Sequence, residues 1–259
     1  MTRGASGLGD RAGSGVALPL RLFSLGAALC LAQLASFYWK APLGPRGVTA
    51  ADWLDLASTY VVVLLYAWVL LAVRDGRGAT RGAPVPRAAA LLLALAAITW
   101  ILGRGVHVAS NSLHDWLDHT GGRDGWGLFN FWDEALGHLL EDAGTIGFAI
   151  GITWAEEASR HESMAEVGGR GWLVAGAVCY GFIFFAGGVE GGTVPLTLPW
   201  SLIYTVWALA AVRGRRDAPG ARPALLFFLA AFMTAFVLFL FWGLLHGGFP
   251  EFSATGFGP

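Results

Sequence analysis

Residues 224–246 have the sequence ALLFFLAAFMTAFVLFLFWGLLH, which contains no charged side chain before its final histidine. A helix crosses the hydrocarbon core of a bilayer with about 20 predominantly apolar residues, so this stretch is long enough to span a membrane. Apolar runs of similar length recur along the chain. Together they predict seven spans: residues 19–39, 53–73, 88–108, 131–154, 172–189, 196–212 and 224–246. The predicted fold is therefore all-α, a polytopic membrane protein with a seven-transmembrane-helix bundle.

The composition of the whole chain agrees with this prediction. Of its 259 residues, 55% are hydrophobic and 14% are charged, and the net charge is −1. The arginines are scattered through short loops and are not interleaved with aromatic residues, so we expect membrane lipid and not nucleic acid as the partner. The two cysteines, Cys30 and Cys179, fall inside apolar runs, which predicts free thiols and no disulfide framework.

The positively charged residues predict how the bundle is oriented. In the seven-span topology, 13 of the 17 lysines and arginines fall on one side, and the other side holds only Lys40, Arg46, Arg104 and Arg123. Because positive residues are retained in the cytoplasm, we expect a multi-pass protein of the cell membrane with a cytoplasmic N-terminus and an outside C-terminus. The predicted organisation is a flexible cytoplasmic segment 1–18, a transmembrane domain 19–246 and an outer tail 247–259.

The polar stretch HVASNSLHDWLDH, residues 107–119, follows the third span directly. His107, Asn111 and His114 are separated by four and three residues, so they share one face if the third helix continues through them. His119 is interpreted as a loop residue. In the predicted topology five of the six histidines map to the outer end of the bundle: His107, His114, His119, His138 and His246.

The fourth predicted span repeats this spacing. Glu134, His138 and Glu141 are again separated by four and three residues, and Asp142 lies four residues after His138. Asp133, at the entry of the span, is either part of the same group or an N-cap of the helix. Because ionisable groups within the apolar band usually face the protein interior and mark a functional site, we expect the two polar stripes to converge inside the bundle.

Imidazole and carboxylate groups are the ligands of zinc and related divalent ions, which predicts a metal site. The predicted ligands are His107, His114, His138 and His246, although His246 could instead reach from its helix end to the interface. Glu134 or Glu190 is the predicted proton acceptor for a metal-activated water. The predicted supporting residues are Asn111, Asp133, Glu141 and Asp142. The predicted function is a metal-dependent membrane enzyme, hydrolase-like, acting on a lipid or amphipathic substrate.

Two other functions stay open at this stage. A transporter or an ion or proton pathway could use the same groups, but it needs polar residues at both depths of the bilayer. The inner halves of the fifth and sixth spans offer little beyond Tyr180 and Thr205. A membrane assembly factor that handles a metal or cofactor is equally consistent with the cluster. An opsin is excluded, because its retinal Schiff base needs a lysine in the last helix and the only lysine is Lys40.

Overall fold

A computed structural model describes residues 9–39, 41–43, 48–75, 85–120, 127–128, 131–158, 169–214 and 222–256. These residues form helices α1 Gly9–Tyr38, α2 Ala50–Asp75, α3 Arg87–Thr120, a π-helical segment Phe131–Gly137, α4 His138–Glu157, α5 Arg170–Glu190, α6 Val194–Arg213, α7 Pro223–His246 and the short α8 Phe252–Thr255. Within these ranges the chain has no β-strand, and Pro42 and Thr49 form an isolated bridge. The all-α prediction is confirmed.

In the part of the chain that the structure describes, six helices are long and apolar enough to cross a membrane: α1, α2, α3, α5, α6 and α7. The seventh long helix, α4, has 20 residues but carries four carboxylates, Glu141, Asp142, Glu156 and Glu157. It lies within the bundle, where it contacts α2, α3, α5, α6 and α7. Its polar side chains therefore face protein and not lipid, which is how a membrane bundle tolerates them. The chain is a multi-pass membrane protein by the length and composition of its helices.

Helix α3 is longer than the sequence predicted. It continues from residue 108 to Thr120, so the backbones of His114 and His119 lie in a helix and not in a loop. No glycine or proline interrupts residues 106–120, and nothing local ends the helix before Gly121. At 1.5 Å per residue its 34 residues extend about 51 Å, well beyond a hydrocarbon core of about 30 Å. Helix α1 likewise begins at Gly9, earlier than the predicted residue 19.

The entry into α4 is a π-helical segment and not the regular helix that the sequence predicted. A π turn contains an extra residue, which rotates the side chains before it relative to those after it. As a result Asp133 lies inside the segment with only 6% of its surface exposed, and it does not occupy an N-cap position.

Small residues bring α4 against α3. Added Cβ atoms at Gly144 and Gly147 would stand 2.6 Å and 2.8 Å from the Cβ atoms of Trp100 and Ala96, respectively. Close backbone approach through glycine is a common way for membrane helices to associate, because lipid provides no hydrophobic drive between them. This packing holds α3 and α4 in the register that joins their polar ends.

Candidate functional site

A buried ion network joins four helices at one end of the bundle. The guanidinium of Arg104 on α3, which is 5% exposed, donates to Asp55 on α2 and to Glu141 Oε2 on α4, the latter at 3.2 Å. Ser36 on α1 donates its hydroxyl hydrogen to Asp55 Oδ1 at 2.5 Å. Each charge is therefore satisfied by a partner on another helix, as buried charges require.

Arg104 was counted among the four positive residues of the outer side and was not predicted as a site residue. Its side chain lies inside the bundle because two carboxylates neutralise it there. A signal was present in the spacing, since Arg104 precedes His107 by three residues and therefore belongs to the face that carries His107, Asn111 and His114. Asp55, on α2, was the other residue that the sequence did not assign to the site.

The predicted convergence of α3 and α4 is confirmed at two histidines. The ring centroids of His107 and His138 are 4.6 Å apart. Nδ1 of His107 lies 2.6 Å from Oδ1 of Asp133, a close contact between the two polar groups that is not a well-directed hydrogen bond. Glycines make room for both rings, because an added Cβ at Gly191 would overlap the His138 imidazole and one at Gly137 would lie 3.1 Å from His107 Cβ.

A cavity of about 80 Å³ adjoins this cluster, between α1, α2, α3, α4 and α5. Such a volume accommodates several water molecules and a small ion. The polar part of its wall includes Gln33, Ser58, Arg104, His138, Glu141 and Asp142. Nε of Arg104 is buried and has no hydrogen-bond partner among the described residues, so one donor stays available for a water molecule.

Aromatic side chains close the bundle on the other side of this cavity. The Tyr180 hydroxyl, on the cavity wall, is hydrogen-bonded to that of Tyr66 at 2.6 Å. Three fully buried rings of α7, those of Phe227, Phe228 and Phe232, pack around the Tyr180 ring with centroid distances of 5.6, 5.6 and 6.4 Å. These rings form a packed aromatic layer behind the cavity wall at Tyr180.

Carboxylates outnumber fixed positive charges in the cluster. When ionised, Asp55, Asp133 and Glu141 carry three negative charges. Among the described contacts Arg104 supplies one positive charge, so the cluster has a net charge of −2. Uncompensated charge is costly in a low-dielectric interior, so the cluster favours an additional cation. The two imidazoles lie where such a cation could be bound.

The remaining predicted site residues divide into three groups. Asp142 lines the cavity and accepts a hydrogen bond from the Thr193 hydroxyl, and Asn111 is half-buried one turn beyond His107. Glu190 and His246 contact the C-terminal part of the chain, since Glu190 Oε2 accepts a hydrogen bond from Phe252 N at 2.9 Å and the His246 ring lies 4.1 Å from that of Trp242. The side chains of His114 and Glu134 lie outside the described part of the structure.

The predicted four-histidine ligand set is not assembled by the described side chains. Among them, no group of three or more His, Cys, Asp or Glu residues is arranged to hold a metal ion. His107 and His138 meet, whereas His246 packs on its own helix against Trp242.

Glu156 lies two residues beyond the end predicted for the fourth span, residue 154. Glu156 lies in α4 with 1% of its surface exposed, and its two carboxylate oxygens accept hydrogen bonds from Ala224 N and Leu225 N, both at 2.8 Å. These amides belong to the first turn of α7, where backbone N–H groups lack partners within the helix. Glu156 therefore caps α7 from a neighbouring helix.

Comparisons of the chain with protein-family models, with curated proteins and with solved structures found no match in any of the three.

Proposed function

We propose that this chain is a metal-dependent membrane enzyme that binds a divalent cation, with zinc as the leading candidate, beside His107 and His138. The observation that carries this proposal is the contact between the two imidazole rings within a buried cluster that has more carboxylates than fixed cations. Imidazole nitrogens bind zinc and related ions, and a divalent ion would balance the two leftover negative charges.

The residues around the histidines support the roles that such a site needs. Asp133, 2.6 Å from His107 Nδ1, would fix the tautomer and orientation of that ring, as carboxylates commonly do for metal-binding histidines. The cavity would hold the water that a hydrolase consumes. When bound, a divalent ion polarises water or a carbonyl oxygen, and hydrolysis is the reaction class that this favours. Glu134 is the proposed proton acceptor, and the only support for this role is its spacing of four residues from His138 in the sequence.

The size of the cavity limits the proposed substrate. A space of about 80 Å³ admits water and an ion but not a lipid chain. We therefore propose that a lipid or amphipathic substrate presents only its polar bond to the site while its apolar part stays in the surrounding bilayer.

The cation proposal is tested by the metal content of the purified protein. We expect stoichiometric metal in the wild type and its loss in His107→Ala and His138→Ala, measured by elemental analysis after gentle purification. His246→Ala is the matched control and should retain metal, because its ring packs on Trp242. A wild-type protein that contains no metal and takes up no zinc, iron, manganese or copper above background would exclude the proposal.

An ion or proton pathway is the second candidate function. It is favoured by polar groups near the opposite end of the bundle, where the Tyr204 hydroxyl is 2.7 Å from Thr153 Oγ1 and Glu156 is fully buried. The buried rings of Phe227, Phe228 and Phe232, which pack against Tyr180 at the cavity wall, oppose it because they are apolar. Metal-free protein that carries protons into liposomes would support this candidate, and metal-containing, proton-tight protein would support the enzyme.

We also propose that α4 is a seventh crossing and that the cluster faces the outer compartment. The proposal rests on the arginine asymmetry and on the position of α4 within the bundle. A reporter fused after Pro259 should be external, and one inserted at Arg81 should be cytoplasmic. Two reporters on the same side of the membrane would contradict the seven-span topology.

A further inference from the structure

Cys30 on α1 and Cys179 on α5 lie within interaction distance of each other, one helical turn beyond the close contact between Gly26 and Gly176. Both are free thiols, as the sequence predicted, and both are half-buried. We propose that they form a redox-modification site, a reversible intramolecular disulfide that joins α1 to α5 within the membrane. This inference is independent of the proposed cation site.

The packing register of α1 and α5 supports the pairing. Three successive contacts advance along both helices in the same direction. The Phe23 ring lies 4.9 Å from the Trp172 ring, Gly26 lies against Gly176, and Cys30 meets Cys179. Each step is three or four residues on each helix, which is one helical turn. The two helices are therefore parallel and in register at the cysteines.

The helices are also close enough for a disulfide. An added Cβ at Gly26 would overlap the backbone of Gly176, and one at Gly176 would lie 2.5 Å from the Cα of Phe23. A disulfide needs Cα atoms about 4.4–6.8 Å apart, which ordinary helix packing at 8–10 Å rarely provides. The glycine contact one turn below the cysteines provides the close approach.

The apolar surroundings of Cys30 and Cys179 limit which oxidant can reach them. Both cysteines lie within helices that are apolar enough to cross a membrane. Charged, water-soluble oxidants are costly to bring into the hydrocarbon core, whereas a lipid-soluble oxidant can reach thiols at this depth. We therefore assign a lipid-soluble quinone as the oxidant. Two S–H bonds break and one S–S bond forms, and the two electrons and two protons pass to the quinone, which becomes a quinol.

The disulfide would act on the cavity wall. Leu29 and Tyr180, the chain neighbours of the two cysteines, both line the cavity. A covalent bond between α1 and α5 at this level would hold the two sides of the wall at a constant separation.

The test uses the full-length chain in lipid nanodiscs. The protein is reduced, freed of reductant, incubated with decylubiquinone under argon and alkylated, and its mass and peptides are then measured. We expect the mass of the treated protein to be two hydrogens below that of the reduced, unalkylated chain. Neither cysteine should be alkylated, and digestion should yield a linked Cys30–Cys179 peptide that reductant separates. Alkylation of both cysteines to the same extent with and without quinone would overturn the proposal.

Two glycine variants test the geometric basis separately. Gly26→Ala should separate α1 from α5 and abolish most of the cross-link, because its methyl group would meet the Gly176 carbonyl. Gly171→Ala, on α5, is the matched control and should cross-link as the wild type does, since no atom lies within 4 Å of an added Cβ there. Equal cross-linking in the two variants would contradict the register on which the pairing rests.

Discussion

Replacing Arg104 by methionine is expected to lower the free energy of unfolding by about 3–5 kcal/mol, the range typical of removing one partner from a buried ion pair. Arg104 is the guanidinium that contacts both Asp55 and Glu141. Its loss would leave two carboxylates in a low-dielectric interior without that partner. Methionine keeps an unbranched apolar stem, so the change removes the charge more than the volume. Thermal unfolding of the purified protein in detergent measures the effect.

A triple variant separates charge from packing. Asp55→Asn and Glu141→Gln, combined with Arg104→Met, remove all three charges at once. We expect this variant to recover most of the lost stability, because replacing a whole buried ion network with neutral groups is often neutral or stabilising. If the single and triple variants lose equal stability, the effect of Arg104 is packing and the ion network contributes nothing.

Replacing Glu156 by alanine should destabilise the protein by about 3 kcal/mol or more. Its carboxyl group accepts hydrogen bonds from Ala224 N and Leu225 N at the start of α7, and a buried donor that loses its partner costs about 1–3 kcal/mol. Alanine leaves both amides buried without this acceptor. Glu156→Gln keeps an acceptor oxygen and should lie between alanine and the wild type. Chemical denaturation in mixed micelles measures all of them.

The neighbouring residue is the control for Glu156. Glu157 accepts a hydrogen bond from Arg222 Nη1 at 2.6 Å, and both side chains are more exposed than that of Glu156. Both side chains keep some contact with solvent, which weakens an ion pair, so Glu157→Ala should destabilise the protein less than Glu156→Ala. Equal destabilisation by Glu156→Ala and Glu157→Ala would show that capping of α7 is not the role of Glu156.

Much of the fold and part of the site follow from local sequence patterns. The apolar runs predict the long helices, and the spacing of His107, Asn111 and His114 predicts one polar face on α3. The contact between His107 and His138 then follows, because a short connection makes the two helices antiparallel neighbours. Both inferences use residues that are close in the chain.

The errors arise where a polar residue is paired with a distant part of the chain. Arg104 and Asp55 are 49 residues apart, and Glu156 and Ala224 are 68 residues apart. Hydropathy places a charged residue in solvent by default, since it contains no information about a partner on another helix.

The sequence by itself determined that the chain forms long apolar helices. In lipid a spanning segment must satisfy its own backbone hydrogen bonds, so an apolar run of sufficient length is enough to predict a helix. Tertiary structure decided that α4 can carry four carboxylates, because its position within the bundle keeps them away from lipid. It also decided that Asp133 faces His107, because the π-helical segment rotates that side chain inward. Such pairings depend on how helices pack in three dimensions. A periodic pattern along one helix does not indicate which residues of another helix lie beside it.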